Sequence, residues 1–295
     1  MLLTARVPMS RRATPKEHVK FWRDPVLRGL EMLHATYVTY AFSRHAHEGF
    51  GIAIVESGAM EFYYRGASHV APPGSVVITQ PGEMHTGQAV LETGWTYRTL
   101  LPAVDWMQQA AAELSMRSRE IPYFSSPVIH DQHLNRQLVN LHRTLETSPS
   151  FLERESRFLW GLTRLIHGYS SPHPQLKAAG IENAAVQTIQ DYLHCYYTRN
   201  ISLDELANLV NLNSFRLLRV FKKQVGLPPH AYLNHVRVHQ AKQLLAAGQP
   251  IAEAAIATGF SDQSHLHRHF KKMLGVTPGQ YAQGCRTSVW KQNKS

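Results

Sequence analysis

Three histidines in the first third of the chain carry side chains that could bind a metal ion or an organic molecule. His45 and His47 are separated by one residue, and His85 ends the segment Pro81–His85. Three imidazoles can hold zinc or iron and leave one coordination position open. The same side chains could instead line a pocket or pack in a core. The residue types therefore leave metal chemistry and ligand binding as alternatives.

A second group of candidate residues lies in the C-terminal third of the chain, where the sequence repeats itself. Phe221 and Phe270 are equivalent residues of the two copies and stand 49 positions apart. Ala207 and Ala255 are also equivalent but stand 48 positions apart. The second copy therefore carries one extra residue between its alanine and its phenylalanine. A register shift confined to one turn is typical of two related helical units.

Each copy has the pattern of a helix-turn-helix unit. Asn211 and Gly259 follow an apolar-periodic helix, and both residue types tolerate the left-handed backbone of a helix end. A capping residue comes next, Asn213 or Ser214 in the first copy and Ser261 or Asp262 in the second, and it predicts a second helix. Between the units, residues 229–247 predict one helix of roughly 27 Å, close to the ~34 Å that separates successive major-groove faces of a duplex. The spacing permits one chain to contact two adjacent grooves.

The repeat also indicates which side chains face DNA. Positions where the copies agree on a large apolar residue are expected in the core, and positions where they differ are free to contact bases. Arg219 and Arg268 could pair with guanine O6 and N7, or with phosphates, whereas the neighbouring lysines would contact phosphates. Two apolar positions of the first unit could pack on thymine methyls or be partly buried. The predicted DNA-contacting residues are Phe215, Leu218, Arg219, Lys222, Gln263, Ser264, His267, Arg268 and Lys271.

The stretch from Gly259 to Lys271, with the sequence GFSDQSHLHRHFK, and the Gly-Val-Thr-Pro that ends at Pro278 resemble the DNA-binding domain of the AraC/XylS family of bacterial transcription regulators. The resemblance covers about the last hundred residues. It implies a sequence-specific double-stranded DNA operator, RNA polymerase as a partner, and activation more often than repression. The positions that carry base contacts in that family are those of Phe215, Leu218 and Arg219 and of their equivalents Ser264, His267 and Arg268. Asn211 departs from the family's usual Gly, but Asn adopts the same conformation.

Residues 37–101 have a different pattern, with short alternating strands between turn residues. Phe50, Ile52 and Ile54 alternate with smaller or polar residues, and Arg65-Gly66 has the composition of a turn. Evenly spaced short strands predict a small β-barrel or jelly roll.

Around the three histidines this region looks like a cupin barrel. In such barrels a His-x-His pair, a Glu a few residues on and a later His converge on one metal, but Gly51 and Ile52 stand where that Glu belongs. The metal set is one carboxylate short, so we predict no metal and no cofactor. A small organic effector in the barrel mouth is the preferred interpretation. The predicted ligand-binding residues are His45, His47, His85, Trp95 and Arg98.

After Pro102 the pattern becomes helical. Helices are predicted over residues 104–119, 131–146 and 151–166. The second carries an apolar stripe, which could form the seam of a homodimer or pack back on the barrel. The stripe consists of Leu134, Leu138, Leu141 and Leu145.

These patterns predict an α+β protein with several domains. The expected fold is an N-terminal cupin-like β-barrel with associated helices, followed by an all-α domain with two helix-turn-helix units. The predicted segments are a basic N-terminal arm at 1–30, a ligand-binding and possible dimerisation domain at 31–170, a linker at 171–184, a DNA-binding domain at 185–285 and a tail at 286–295.

Charge and cysteine content fit this organisation. The formal net charge is +10, and residues 181–295 hold 13 Lys and Arg against 6 Asp and Glu. Such an excess suits nucleic acid, although charge alone also fits a generic polyanion or a membrane surface. Cys195 and Cys285 show neither a zinc spacing nor a disulfide framework, which suits a reducing cytosol. No apolar run approaches the ~20 residues of a membrane span. We predict a bacterial cytoplasmic protein associated with the nucleoid, with no membrane partner.

Three functions are compatible with the sequence. The preferred one is a transcription regulator whose barrel binds an unidentified small-molecule effector and whose repeat reads a DNA operator, with no catalytic residue. The second is a metal-dependent cupin enzyme with an accessory DNA-binding tail. The third is an architectural DNA binder without a ligand. A homodimer is compatible with the first.

Overall fold

Short antiparallel strands build the N-terminal part of the molecule. The computed structural model describes residues 17–25, 27–114, 120–171 and 181–290, without the side chains of 181, 182, 214, 215 and 287–290. The strands found there are β1 (His18–Asp24), β2 (Leu30–Tyr37), β3 (Phe42–His45), β4 (Gly51–Gly58), β5 (Met60–Tyr64), β6 (Ala67–Ala71), β7 (Val76–Thr79), β8 (His85–Ala89), β9 (Trp95–Leu101) and β10 (Val128–Ile129). One sheet has the order β1-β2-β9-β4-β7-β10, and the other has the order β3-β8-β5-β6.

The hairpin between β5 and β6 shows how local sequence sets the register. Tyr64 pairs with Ala67, so the loop consists of Arg65 and Gly66 alone. Both residues have positive φ angles, 49° and 84°, as a type I′ turn requires. The turn predicted at these two residues is confirmed.

The two faces of β4 have different surroundings because successive side chains of a strand point to opposite sides. Ile52 and Ile54 are fully buried in a core that includes the helices after the barrel. Gly51 and Ala53 face the interior between the two sheets. The alternation seen in the sequence therefore separates an outer core from a barrel interior.

The sheet begins earlier than the sequence suggested. Strand β1 lies within the segment predicted as an arm, and it pairs with β2 over its whole length, from His18 opposite Thr36 to Asp24 opposite Leu30. The ordered barrel therefore includes residues 18–24.

Three helices cover the outer face of the larger sheet: α1 (Val104–Ala112), α2 (Gln132–Thr147) and α3 (Phe151–Tyr169). Helix α1 ends before the predicted limit, and part of that predicted helix, residues 115–119, lies outside the described residues. Asp131 caps α2 by accepting from the amides of residues 133 and 134. The leucine stripe of α2 is buried against its own chain, so it cannot be the seam of a homodimer. Most of the predicted linker, residues 172–180, also lies outside the described residues.

The C-terminal part is helical, as predicted. Its helices are α4 (Ile181–Cys195), α5 (Leu203–Leu209), α6 (Ser214–Val225), α7 (Pro229–Ala246), α8 (Ile251–Ala257), α9 (Gln263–Leu274) and α10 (Pro278–Trp290). Asn211 and Gly259 have φ angles of 53° and 83°, which confirms both predicted turns. Asn213 and Asp262 cap α6 and α9 through their side chains. The predicted fold class, a β-barrel followed by two helix-turn-helix units, is confirmed.

Candidate functional site

Helices α6 and α9 each have a sealed side and an exposed side. Leu217 and Phe221 of α6 have no exposed surface, and neither have Leu266 and Phe270 of α9. These four side chains fill the cores of the two units. The residues that differ between the copies lie on the opposite side of each helix, because residues i, i+3 and i+4 share a face.

The second unit exposes all of its predicted DNA-contacting residues: Gln263, Ser264, His267, Arg268 and Lys271. Their exposure leaves these polar side chains free to meet a ligand as large as DNA.

The first unit exposes fewer of its predicted residues. Arg219 and Lys222 are exposed, whereas Leu218 is half-buried. Phe215 lies on α6, but its side chain is outside the described residues. For the apolar contact predicted in the first unit, Leu218 therefore offers only the smaller part of its side-chain surface.

A cavity lies where the barrel interior meets the second unit. Its volume is ≈ 100 Å³, which is room for about three waters at ~30 Å³ each. Residues from both sheets and from the helices after α8 form its wall. The lining includes Leu33, Phe42, Met60, Phe62, Val77, Tyr97, Met273, Val276 and Tyr281, together with the three predicted histidines.

The three histidines come together in the cavity wall. The ring centroids of His45 and His85 are 4.4 Å apart, and the ring of His47 lies 5.0 Å from each of the others. His45 and His85 are directly opposed across β3 and β8. Desolvation by burial lowers the pKa of all three, in the case of His85 to about 4, so the imidazoles are neutral near pH 7.

Two other predicted ligand-binding residues do not reach the cavity. Trp95 is buried among aromatic residues and is not part of the lining. Arg98 points to the outer face of β9, where its Nε lies 2.7 Å from a carboxylate oxygen of Glu56 and its Nη1 lies 3.0 Å from Nδ1 of His142. The structure therefore does not place Trp95 or Arg98 at the effector site, and Arg98 is already engaged by Glu56.

Hydroxyl groups of the barrel hold the C-terminal end of α9. Tyr37 donates a hydrogen bond to the carbonyl of Gly275 at 2.9 Å, and Ser43 donates to the carbonyl of Lys272 at 3.0 Å. The Tyr40 hydroxyl donates to the carbonyl of Lys271. The last carbonyls of a helix have no partner within the helix. Barrel side chains therefore complete the end of the helix that carries Arg268.

Ionic contacts and hydrogen bonds join the barrel to helices α7 and α10. Glu31 accepts from the Lys242 ammonium at 3.0 Å and from the Tyr281 hydroxyl at 2.7 Å. On α7, His239 places Nε2 3.2 Å from the Ala46 carbonyl and Nδ1 3.3 Å from Glu48. The hydrogen bond from His239 is the main cause of the lowered pKa of the Glu48 carboxyl group.

Sequence reasoning missed the residues that close the cavity from the DNA-binding side. Met273, Val276 and Tyr281 belong to the second unit, and their role depends on how the two domains pack. No local pattern marks such a contact. Within the described residues, no helix has both the length and the apolar character needed to cross a lipid bilayer.

Together, the fold and these two surfaces define a DNA-binding regulator in which a ligand-binding barrel is joined to a pair of helix-turn-helix units. Two family descriptions match the chain, an AraC-like ligand binding domain over residues 28–162 and a helix-turn-helix domain over residues 206–284. The chain is 31% identical over 243 residues to the HTH-type transcriptional regulator YbfI of Bacillus subtilis, covering 82% of this chain and 87% of that relative.

A second relative is the arabinose operon regulatory protein of Escherichia coli, which is 26% identical over 234 residues, 76% of this chain and 77% of its own length. Among solved structures, an apo ToxT variant from Vibrio cholerae has a TM-score of 0.54 at 15% identity, covering 91% of this chain and 97% of that chain, which shows a shared fold. The chain belongs to the AraC family of transcriptional regulators. It is a DNA-binding regulator controlled by a ligand, as the sequence predicted.

Proposed function

We propose that the exposed faces of α6 and α9 bind an asymmetric double-stranded DNA operator and that a small effector in the barrel cavity controls this binding. The observation that supports the proposal most strongly is the division of each helix into a sealed apolar side and an exposed side. Arg219 and Arg268 occupy equivalent positions on the exposed sides, where each can donate two hydrogen bonds to guanine O6 and N7. The two units then bind adjacent major grooves.

The other contact residues divide by chemistry. Gln263, Ser264 and His267 hydrogen-bond to base edges or phosphates at the second half-site. In the first unit, Phe215 and Leu218 pack on thymine methyl groups. The ammonium groups of Lys222 and Lys271 contact phosphates and carry no sequence information.

The effector is a small and mainly apolar molecule with one or two polar groups. Apolar side chains such as Met60, Phe62 and Val77 form most of the cavity wall. Hydrogen-bonding side chains in the wall include the three histidines, Thr79, Tyr97 and Thr99. Among the residues predicted to contact the effector, His45, His47 and His85 are therefore retained in this proposal.

Binding of the effector acts on DNA recognition through the second unit. All three of Met273, Val276 and Tyr281 line the cavity: the first lies in the last turn of α9, the second follows that helix, and the third lies in α10. A molecule in the cavity contacts these side chains and thus favours one position of α9 over others. Family resemblance supports activation through RNA polymerase as the outcome.

Several further parts of this proposal rest on the sequence alone. The protein acts in the bacterial cytoplasm at the nucleoid, and it has no catalytic residue. A homodimer remains a prediction, and it needs a surface other than the α2 stripe. The boundaries of the linker and tail also remain predictions, whereas the arm cannot extend to residue 30, because β1 begins at His18.

The DNA-contact assignment is tested with duplexes that the wild-type chain selects from a randomised pool. Arg268→Ala and Arg219→Ala should each weaken binding to the selected duplex by roughly 5- to 150-fold, the equivalent of about 1–3 kcal/mol per bidentate contact. Binding to an unselected duplex should change much less. Arg157→Ala is the matched control, because Arg157 is an exposed arginine of α3. Wild-type affinity and an unchanged footprint in both variants would contradict the assignment.

A further inference from the structure

We propose that His45, His47 and His85 bind a divalent transition-metal ion of the zinc, cobalt and nickel class at the wall of the cavity. Among the described residues, these three form the one group of at least three His, Cys, Asp or Glu side chains placed to hold a metal. The inference does not depend on the proposed effector. It goes beyond the sequence prediction, in which the missing carboxylate argued against a metal.

The backbone fixes which nitrogen each of two rings offers. His45 Nδ1 lies 2.7 Å from the carbonyl oxygen of Ser43, and His85 Nδ1 lies 3.1 Å from that of Glu83. A carbonyl oxygen only accepts, so Nδ1 of each ring carries the proton and donates it. The lone pair of Nε2 is then free to bind a metal. Metal-binding histidines are typically oriented by this hydrogen bond to the other ring nitrogen.

The distances are compatible with a site that closes on an ion. One ligand nitrogen from each histidine lies within 4.8 Å of the other two. Tetrahedral coordination at ~2.0–2.1 Å brings nitrogens to about 3.4 Å from one another. The rings therefore have to approach by roughly 1 to 1.5 Å. His45 and His85 face each other across paired strands, so ring rotation rather than a backbone movement supplies this approach.

The donor set defines the class of metal. Three neutral imidazoles favour zinc and neighbouring transition metals over magnesium and calcium, which prefer oxygen ligands. A carboxylate cannot enter from the position of Gly51, because a Cβ there would stand 2.3 Å from Thr79 Oγ1. All three histidines line the cavity, so the remaining coordination position faces its interior. Water or a ligand donor atom can occupy that position.

The site is continuous with the contact between the barrel and α7. Ala46 lies between two of the proposed ligands, and its carbonyl is 3.2 Å from Nε2 of His239. The carboxylate of Glu48, next to His47, lies 3.3 Å from the other nitrogen of that ring. A metal held by His45 and His47 fixes this segment in place. Metal binding should therefore stabilise the contact between the barrel and the DNA-binding helices.

The test uses the full-length chain after removal of metals with a chelator. Zn²⁺ should bind with one equivalent per chain and raise the Tm by mass action. Co²⁺ should give the visible absorption of a tetrahedral site. His85→Gln should weaken Zn²⁺ binding at least about 100-fold, since even loss of a residue that only orients a ligand costs 10- to 100-fold. His47→Gln is a second variant and should behave in the same way.

His265→Gln provides the control, because His265 and His269 form a separate pair on α9 with ring centroids 5.0 Å apart. This variant should bind Zn²⁺ as the wild type does. The chelated chain of every variant should show a cooperative thermal transition before metal is added. Absence of a Tm rise and of a Co²⁺ spectrum in the wild type would overturn the proposal. Equal affinity in the wild type, His85→Gln and His47→Gln would also overturn it.

Discussion

The two helix-turn-helix units have nearly the same sequence pattern but different surroundings. In the first unit, Leu217 and Phe221 belong to a core formed mainly by α4 to α7. In the second unit, Leu266 and Phe270 belong to a core that continues into the barrel and includes Tyr37. A duplicated motif has thus become one unit with its own core and one that shares a core with the sensor domain.

The glycines that end α6 and α9 are equivalent in sequence but differ in what they contact in the barrel. Gly226 and Gly275 end α6 and α9 with φ angles of 81° and 74°. The backbone of Gly275 accepts a hydrogen bond from Tyr37. Gly226 lies near the guanidinium of Arg44, a flexible side chain. Helix α9 is therefore held to the barrel by a hydrogen bond. At the end of α6, the barrel places only the flexible side chain of Arg44 nearby.

The space between the barrel and the first unit is also larger than the space between the barrel and the second unit. A cleft of ≈ 890 Å³ separates the barrel from the first unit. Its lining includes polar residues such as Arg65 and Lys223. The second unit instead closes the smaller effector cavity with apolar side chains. The comparison supports the proposal that an effector in the cavity acts on DNA binding through the second unit.

The largest loss of stability is expected when either of the equivalent phenylalanines is replaced by alanine. Phe221→Ala and Phe270→Ala should each lower the free energy of unfolding by about 3–5 kcal/mol, because both side chains are fully buried. Phe270→Ala should destabilise the barrel together with the second unit, whereas Phe221→Ala should leave the barrel transition in place. Differential scanning calorimetry of the two variants measures this. A barrel transition shifted equally by both variants would contradict the shared core.

The glycine pair gives a smaller and more local test. Alanine at either position should cost about 1–2 kcal/mol for the left-handed backbone. Gly275→Ala should cost about 1–3 kcal/mol more, because its Cβ would lie 2.5 Å from the Tyr37 hydroxyl and 2.7 Å from the Phe42 ring. In Gly226→Ala the contact is the far end of Arg44, which can move. Chemical denaturation of both variants distinguishes these outcomes, and equal costs would argue against rigid docking of α9.

Acidification should act mainly on the barrel. Burial is the main reason that the pKa of His142 is lowered from 6.5 to about 3. Below about pH 6.5 the unfolded imidazole binds a proton that the folded one excludes, so stability present above that pH is lost as the pH falls towards 3. The barrel transition should therefore move to lower temperature between pH 6.5 and 4.

His142→Gln is the matched variant for this pH dependence. Glutamine can still accept the hydrogen bond that His142 Nδ1 accepts from Arg98 at 3.0 Å, but it does not titrate. The slope of barrel Tm against pH should be smaller in this variant than in the wild type. An unchanged slope would assign the acid sensitivity to other groups.

Features that depend on neighbouring residues in the chain could be predicted from the sequence. The left-handed turn at Asn211, the cap at Asp262 and the two-residue hairpin at Arg65 and Gly66 follow from backbone preferences of single residues. The division of α6 and α9 into a sealed and an exposed side also followed, because the repeat marks the large apolar positions that both copies share. Each of these features is set within one or two turns of chain.

Features that depend on distant residues could not be predicted in the same way. Strand β1 is an edge strand that is stabilised by pairing with β2 and by stacking of Phe21 on Tyr281, with ring centroids 4.9 Å apart. The orientation of Arg98 depends on which face of β9 the helices cover. The closure of the cavity by Met273 and Val276 requires the packing of two domains. A single sequence contains no direct signal for such contacts.

The most direct test of the account compares footprints of the wild type and of Tyr37→Phe/Tyr40→Phe on the selected duplex. This double variant keeps both rings and removes the hydroxyls that hold the carbonyls of Gly275 and Lys271. The Arg268→Ala footprint identifies the half-site of the second unit. The account predicts weaker protection at that half-site and unchanged protection at the other, because α9 loses its pre-organised position. Equal loss at both half-sites, or no loss at either, would contradict it.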